Sequence, residues 1–321
     1  MIVKVLGSAA GGAFPQWNCS CSNCSRMRKR EMRARPRTQS QLAVSSDGVQ
    51  WHLLNASPDL RSQIEATPEL QPDPSQGSRH SPIQCIVLTN ADLDHVLGLL
   101  LMRESQPLSV YASQSVTRIL LEDNSFFGML RQTASQTQWT AIAPGVPFSL
   151  GASGIECQPV QVSDQYPRYV SPARVAELKP EGAVFGMLLS EPSARSRGGK
   201  DAPSGKTLGY FPGVGAITPE LEKIFAECDV LFVDGTFWDE DELKRVHGNA
   251  PGVIKTASQM GHIPQSGEQG ILKRLAGLKK PRKIFVHINN TNPILDEASE
   301  QHRAVADAGW EIAYDGMEIR L

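Results

Sequence analysis

The chain has 321 residues, 40% of them hydrophobic, and a formal net charge of −2. That length supports one large core or two small ones, and the balanced charge excludes a nucleic-acid footprint. No apolar run approaches the roughly 18 residues that a membrane-spanning helix needs. Met1 to Leu6 is too short for a signal peptide and runs into a glycine-rich turn, so a cytoplasmic protein is expected.

Ile2 to Leu6 reads as the first strand. Gly7 to Gly12 is a loop of small residues without the spacing of a dinucleotide or phosphate loop. Cys19-Ser-Cys-Ser-Asn-Cys24 follows. Thiolates two and three residues apart can grip one ion from a single turn, with a fourth ligand from elsewhere. Without a secretion signal, such a cluster favours a structural zinc over a disulfide. Cys85, Cys157 and Cys228 are isolated among apolar residues and read as reduced core thiols. Arg26 to Arg35 reads as a short exposed helix, its cations a solvated face.

Gln41 to Ser45 and Trp51 to Leu54 read as a hairpin around Asp47-Gly48. Asn55 to Asp59 starts a helix running to about Ala66, and Pro68 to Pro82 reads as a loop or insert. Ile86-Val87-Leu88 is a buried strand, and Val96 to Met102 the start of a helix. Between them Asn90, Asp92, Asp94 and His95 crowd together at the carboxyl end of the strand, where ligand sites of open α/β sheets lie. Carboxylate and imidazole groups suit zinc, manganese or non-haem iron. A polar turn capped by one aspartate is the plainer account.

Leu108 to Ala112 is a strand followed by a helix from Ser115 to Leu121. Phe126 to Leu130 is apolar and aperiodic. Ile155 to Val162 and Ala183 to Ser190 alternate like strands, with an aromatic loop from Asp164 to Tyr169 between them. Glu191 to Gly205 is a polar Gly/Ser-rich loop. Thr207 to Phe211 is a strand, and Thr218 caps a helix through Ala226. Val230 to Val233 is a strand ending at Asp234. Gly267 to Leu278 is a helix, Lys283 to Val286 a strand ending at His287, Glu297 to Ala308 the last helix and Trp310 to Tyr314 the last strand. Three apolar strands thus each end in a candidate ligand, and His262 directly precedes another expected helix.

In this order of features the chain resembles the metallo-β-lactamase superfamily. The resemblance implies an αββα sandwich with two facing mixed β-sheets. It would form a single domain over residues 1–321, with variable inserts near 68–82 and 191–205. The superfamily signature His-x-His-x-Asp-His aligns with Asn90-Ala-Asp-Leu-Asp-His95. Asp234 matches the bridging aspartate, and His287 the late histidine. His262 matches a histidine that assists chemistry in the tRNA 3′-processing endonucleases and the phosphonate-pathway cyclic phosphodiesterases. The phosphodiesterases are also similar in an early three-cysteine zinc site; by position their fourth ligand, a histidine, falls at Asn290, which leaves the Asn290 oxygen, water or a neighbouring group as the fourth donor.

More narrowly, Ile2 to Cys19, Leu54-Asn-Ala-Ser-Pro-Asp-Leu-Arg61, Thr89 to His95, Phe211-Pro-Gly-Val214 and Val233-Asp-Gly-Thr-Phe-Trp238 resemble the PqqB family of pyrroloquinoline quinone (PQQ) biosynthesis. Asn90 and Asp92 replace the two leading histidines, and no histidine stands near Ser163-Asp164. The remaining set is Asp92, Asp94, His95, Asp234 and His287. Two histidines with a carboxylate and open positions is the pattern of non-haem iron oxygenases. The implied reaction is iron- and dioxygen-dependent hydroxylation of the tyrosine ring of a glutamate–tyrosine precursor. Asp92, His95 and His287 would hold the iron, with Asp94 or Asp234 as a further ligand or orienting group. His262 and Asp94 are the catalytic candidates, and Arg168, Tyr166 and Tyr169 candidates for holding substrate. The resemblance leaves open a non-catalytic carrier that moves PQQ or its precursor toward the periplasm, and a degenerate metallo-hydrolase; other PQQ-pathway proteins are candidate partners.

Overall fold

Short β-branched runs separated by turn residues become strands along most of the chain. The computed structural model describes residues 1–104, 106–131, 136–191, 205–248 and 254–321. Its strands are β1 (Ile2–Gly7), β2 (Gln41–Ser45), β3 (Trp51–Leu54), β4 (Ile83–Val87), β5 (Leu108–Ser113), β6 (Thr137–Ile142), β7 (Phe148–Ser149), β8 (Glu156–Ser163), β9 (Val184–Ser190), β10 (Thr207–Phe211), β11 (Val230–Asp234), β12 (Arg282–Val286), β13 (Trp310–Ile312) and β14 (Glu318–Arg320). They form two seven-stranded sheets, ordered β14-β1-β2-β3-β4-β5-β6 and β13-β12-β11-β10-β9-β8-β7. Both are mixed. In the first, β1/β14 and β2/β3 are antiparallel, while β3 to β6 run parallel. In the second, β8 is antiparallel to β7 and β9, and β12 is parallel to β11 and β13.

The helices are α1 (Ser22–Lys29), α2 (Leu60–Glu65), α3 (Leu93–Val96), α4 (Gln114–Leu121), α5 (Pro172–Val175), α6 (Pro219–Glu227), α7 (Glu242–His247), α8 (Ile271–Arg274) and α9 (Glu300–Asp307). Capping fixes several starts. The hydroxyls of Ser113 and Thr218 accept from Val116 N and Leu221 N at 3.0 and 3.2 Å, each satisfying a donor the first helical turn leaves open. No helix among the described residues is long and apolar enough to cross a membrane.

Two compact units divide the chain. One comprises Met1–Leu6, Gln41–Leu208 and Gly316–Leu321, the other Gly7–Ser40 and Gly209–Asp315. The first has its core where the parallel strands meet the helices between them: Leu53, Ile86, Leu88, Val110, Val116, Ile119 and Leu120 are all buried. In the second, Leu231, Phe232, Val233, Ile284, Phe285 and Val286 are fully buried, as continuous apolar strands of a parallel sheet must be.

Several expectations shift. The expected Arg26 to Arg35 helix is α1, which begins inside the cysteine cluster and ends where Arg30 turns left-handed at φ 61°. The basic residues of this stretch are partly tied down: Arg26 on α1 pairs with Asp296, and beyond the helix Arg33 pairs with Glu297 and Arg37 is buried with a bond to Ser8 Oγ. The expected Gly267 to Leu278 helix shrinks to the single turn α8, because Gly267 takes φ 90° and lies outside helical space. The helix expected from Val96 to Met102 is instead a 3₁₀ segment, Leu97–Met102, preceded by the short α3, which already begins at Leu93. Strands β6 and β14 and helix α7 were not legible in the pattern. The 68–82 segment holds two 3₁₀ turns and is anchored by Leu70, 1% exposed. Of the 191–205 insert, residues 192–204 lie outside the described residues.

Candidate metal centres

In the first unit the chain leaves β4 into the Thr89 to His95 loop, which Asn55 holds from the end of β3. Asn55 takes a left-handed φ of 70°, a conformation its short polar side chain tolerates. Its Oδ1 accepts from Thr89 N at 2.9 Å and from Thr89 Oγ1 at 3.0 Å. Asn90 then folds back on the loop. Its Nδ2 donates to Asp92 Oδ2 at 2.7 Å, and its Oδ1 accepts from Asp92 N at 3.1 Å.

That amide orientation decides the tautomer of His95. Asn90 Oδ1 lies 2.8 Å from His95 Nδ1. An amide oxygen only accepts, so Nδ1 carries the proton and Nε2 keeps its lone pair. Asp94 Oδ2 stands 3.9 Å from that Nε2, while the His95 ring is 2% exposed. The backbone is also clamped: Ala56 N donates to His95 O at 2.7 Å, and Gly98 N to Ala56 O at 2.9 Å. A Cβ at Gly98 would come within 2.3 Å of Ser57 O, so only glycine permits this approach. Tyr169 reaches the same loop by donating its hydroxyl to Ala91 O at 2.5 Å. Tyr166 donates to Lys179 O instead, and Asp164 is exposed.

In the second unit β11 delivers Asp234 and β12 delivers His287. One Asp234, His262 and His287 ligand atom each lie within 4.8 Å of one another. Asp234 is fully buried, and its oxygens collect donors. Oδ1 accepts from Thr236 N at 3.0 Å and Thr236 Oγ1 at 2.5 Å. Oδ2 faces His262 Nδ1 at 2.5 Å and Val214 N at 3.3 Å. Burial alone would push this carboxyl up. The His262 charge and hydrogen bond outweigh it, with help from His287 and Thr236, and hold the carboxyl below its ordinary value.

Thr236 settles the tautomer of His287 as Asn90 settles that of His95. Its single hydroxyl proton is claimed by acceptors, Asp234 Oδ1 and His287 O at 2.9 Å. The contact from Thr236 Oγ1 to His287 Nδ1, 2.8 Å, is therefore Nδ1–H donating to oxygen, and Nε2 again keeps its lone pair. His262 repeats the pattern, with Nδ1–H on the Asp234 carboxylate. Its ring stacks 5.6 Å from His287 and meets Phe237 edge-on at 5.7 Å. His287 itself has φ 60°, a left-handed conformation that costs a β-substituted residue about 1–2 kcal/mol and must be held by its neighbours.

The cysteine cluster also lies in the second unit. One Sγ each of Cys19, Cys21 and Cys24 falls within 4.8 Å of the other two, and all three thiols are free of disulfides. Asn290 closes the group, its Nδ2 lying 3.2, 3.7 and 3.3 Å from the three sulfurs. A tetrahedral zinc would hold its sulfur and oxygen donors roughly 3.6 Å apart. The amide therefore stands where a fourth ligand belongs, and a half-turn of its plane presents Oδ1. The Cys24 thiol is lowered to about 7, mainly by the Cys21 hydrogen bond and against burial. A thiolate that forms near neutral pH suits a metal site.

Of the candidates named from sequence, Asn90 and Asp92 lie on the loop after β4 and Asp94 and His95 on α3, Asp234, His262 and His287 share one cluster, Asn290 faces the cysteines, and Arg168 is exposed. Sequence reasoning missed Thr236 and treated Asn55 only as a helix start. A hydroxyl two residues beyond a strand-end aspartate was a weak signal for the first; an asparagine closing an apolar strand was one for the second.

The Beta-lactamase superfamily domain matches residues 50–288. The Coenzyme PQQ synthesis protein B of Methylococcus capsulatus is 44% identical over 324 residues, covering all of both chains. A Zn(2+)-bound PqqB crystal structure from Methylobacterium extorquens superposes with a TM-score of 0.86 at 39% identity, again over all of both chains. A diphosphatase of the PhnP family shares the fold at TM-score 0.64 and 18% identity, over 100% of this chain and 97% of its own. The chain has the metallo-β-lactamase fold and belongs to the Coenzyme PQQ synthesis protein B family.

Proposed function

We propose that this PQQ-biosynthesis protein is a metal-dependent enzyme that hydroxylates the tyrosine ring of a glutamate–tyrosine precursor, with iron as its metal, dioxygen as co-substrate and an external two-electron reductant that, with two protons, takes the second oxygen atom to water. The observation that carries the reading is the contact that His95 and His287 each make through Nδ1 with a side-chain oxygen, Asn90 Oδ1 and Thr236 Oγ1. Each is anchored through Nδ1 to an oxygen acceptor, so each offers Nε2 to an ion.

On this reading, which the family resemblance supports, His95, His287 and Asp92 are the iron ligands and Asp94 is the further carboxylate. Asp234, which already accepts hydrogen bonds from Thr236 and His262, orients the two histidines of its own cluster. Two nitrogens with carboxylate and open positions suit ferrous iron better than a di-zinc pair, which needs more nitrogen donors. When bound, the iron supplies the oxygen chemistry that no side chain here can perform. His262, backed by the buried Asp234, moves a proton at its Nε2. Asp94 is the second candidate for proton transfer. Zinc at Cys19, Cys21, Cys24 and Asn290 serves the fold.

The test is aerobic incubation of iron-loaded protein with ascorbate as electron donor and a glutamate–tyrosine dipeptide, followed by mass spectrometry. Gain of one oxygen atom on the ring supports the reading. His95→Ala and His287→Ala should lose iron and turnover but keep the cysteine zinc. His262→Ala should keep iron and lose roughly 10²–10⁴ in rate. Full activity in His95→Ala would overturn the site. An unaltered dipeptide, with PQQ or its precursor bound at an iron-free protein, would make the chain a carrier. Two zincs at the histidines, with ester hydrolysis, would make it a hydrolase.

A further inference from the structure

Three residues after His287 the same turn carries Asn290, the residue that closes the cysteine cluster. The turn is bonded along its length. Ile288 N donates to Ser8 O at 3.0 Å, and Ala10 N to Ile288 O at 2.9 Å. Asn289 N donates to Thr236 O at 3.1 Å. Asn292 Nδ2 donates to Gly235 O at 3.0 Å, Thr236 O at 3.2 Å and Gln265 Oε1 at 3.0 Å. From the cysteine side, Asn23 lies on α1 between Cys21 and Cys24. Its Nδ2 donates to Asn290 O at 3.2 Å and Asn292 O at 3.0 Å. The turn is thus gripped at one end by the loop that anchors His287 and at the other by the cysteine helix.

We propose that Asn290 and Asn23 are positioning residues for His287, so that zinc at the cysteine site raises the affinity of the histidine site for its own ion. This rests on the reading of His287 as a metal ligand. The physical reason is the left-handed backbone of His287, φ 60°. A residue with a Cβ leaves that conformation once its flanking chain is free. An eight-residue helix such as α1 is too short to persist without tertiary support. Asn23 and the Arg26–Asp296 pair give part of that support, and zinc adds to it by joining α1 to Asn290. Without it, three sulfurs crowded at one point separate, α1 frays, and the turn that presents His287 loosens. Coupling of this kind is reciprocal: an ion at the histidines must tighten zinc at the cysteines by the same factor.

The experiment titrates cobalt(II) and iron(II) into full-length protein, wild type and variants, after the zinc content has been measured. Asn290→Ala and Cys21→Ser should weaken the ion at the histidines by roughly ten- to a hundredfold, change its cobalt spectrum, and speed hydrogen exchange across residues 287–292. Asn290→His, which offers zinc a good nitrogen ligand, should restore all three. Asn23→Ala leaves every zinc donor in place. It should retain zinc, fold normally and still weaken the second ion, which keeps the proposal testable if the other variants unfold. His287→Ala is the control that separates the two readings. If it keeps the second ion, the assignment of His287 as a ligand fails. If it loses the ion while Asn290→Ala, Cys21→Ser and Asn23→Ala bind it like wild type, the coupling itself is refuted.

Discussion

Replacing Thr236 by valine keeps the shape of the side chain and deletes one oxygen. That oxygen donates to Asp234 at 2.5 Å and accepts from His287 Nδ1 at 2.8 Å. Both partners are buried, at 0% and 7% exposure, so water cannot replace the lost bonds. A bond to a charged group contributes about 1.5–3 kcal/mol, and an orphaned buried donor costs about 1–3 kcal/mol. Thr236 N still serves Asp234, which limits the loss, so about 2–4 kcal/mol of stability is expected to go. The effect on an ion at His287 is separate. An imidazole no longer fixed at Nδ1 binds metal roughly 10- to 100-fold more weakly, or about 1.4–2.7 kcal/mol. Chelator competition gives the affinity, and urea unfolding of the metal-free protein gives the stability. Thr236→Ser restores the hydroxyl and should recover most of both. If Thr236→Val holds its ion at wild-type affinity, the hydroxyl does not set the tautomer, and the chemistry assigned to His287 must be revised.

Gly98→Ala should cost about 1–3 kcal/mol, because its Cβ would meet Ser57 O at 2.3 Å; a melting temperature equal to wild type would show that the turn behind His95 yields freely. His52 is fully buried, and burial lowers its imidazole to about 4. The folded state therefore binds fewer protons than the unfolded one between about pH 4 and 6.5, and about 3 kcal/mol of stability, complete above that window, is lost as pH falls through it; His52→Phe should flatten the slope in acid denaturation. Glu242 has the opposite sign: burial, against hydrogen bonds from Thr291 and Trp238, raises its carboxyl to about 7. Its contribution is complete below about pH 4.5 and lost as pH rises through 7, so Glu242→Gln should stabilise the protein at pH 8 by up to about 3 kcal/mol and change little at pH 5. An unchanged pH profile in that variant would mean that Glu242 is ionised without penalty.

Period and composition made the parallel strands readable, because β4, β11 and β12 carry the short apolar runs Cys85 to Val87, Val230 to Val233 and Ile284 to Val286, with polar residues close behind. The candidate ligands were legible for the same reason. The α8 region failed because its apolar spacing is helical, while Gly267 at φ 90° is not; local backbone freedom overrode periodicity. Strand β6 was missed since Thr137 to Ile142 lies at a sheet edge with mostly exposed or half-buried side chains, leaving no apolar signature. Thr236 could not be singled out because its importance lies in three contacts made by one oxygen, two of them to a residue 51 positions away.

The orienting groups also bear on why the signature departs from its superfamily where it does. Asn90 stands at the position of a leading histidine. Its amide oxygen receives His95 Nδ1–H, and its amide nitrogen binds Asp92. Asparagine can do both at once because it carries one acceptor and one donor end. A neutral imidazole at the same place could also donate to one neighbour and accept from the other. But its nitrogens would then be spent, or, if free, would add a further ligand. The exchange therefore removes a nitrogen donor and leaves a group that orients the ones that remain. On the proposed reading this favours a single ion with open positions over a filled pair. Asn90→His should shift the histidine site toward zinc and away from iron, as read by metal content after growth in equimolar metals. Asn90→Asp keeps an acceptor for His95 but places a second charge 2.7 Å from Asp92, so one of the two carboxyls must stay protonated or bind an ion. Retention of iron selectivity in Asn90→His would remove the argument.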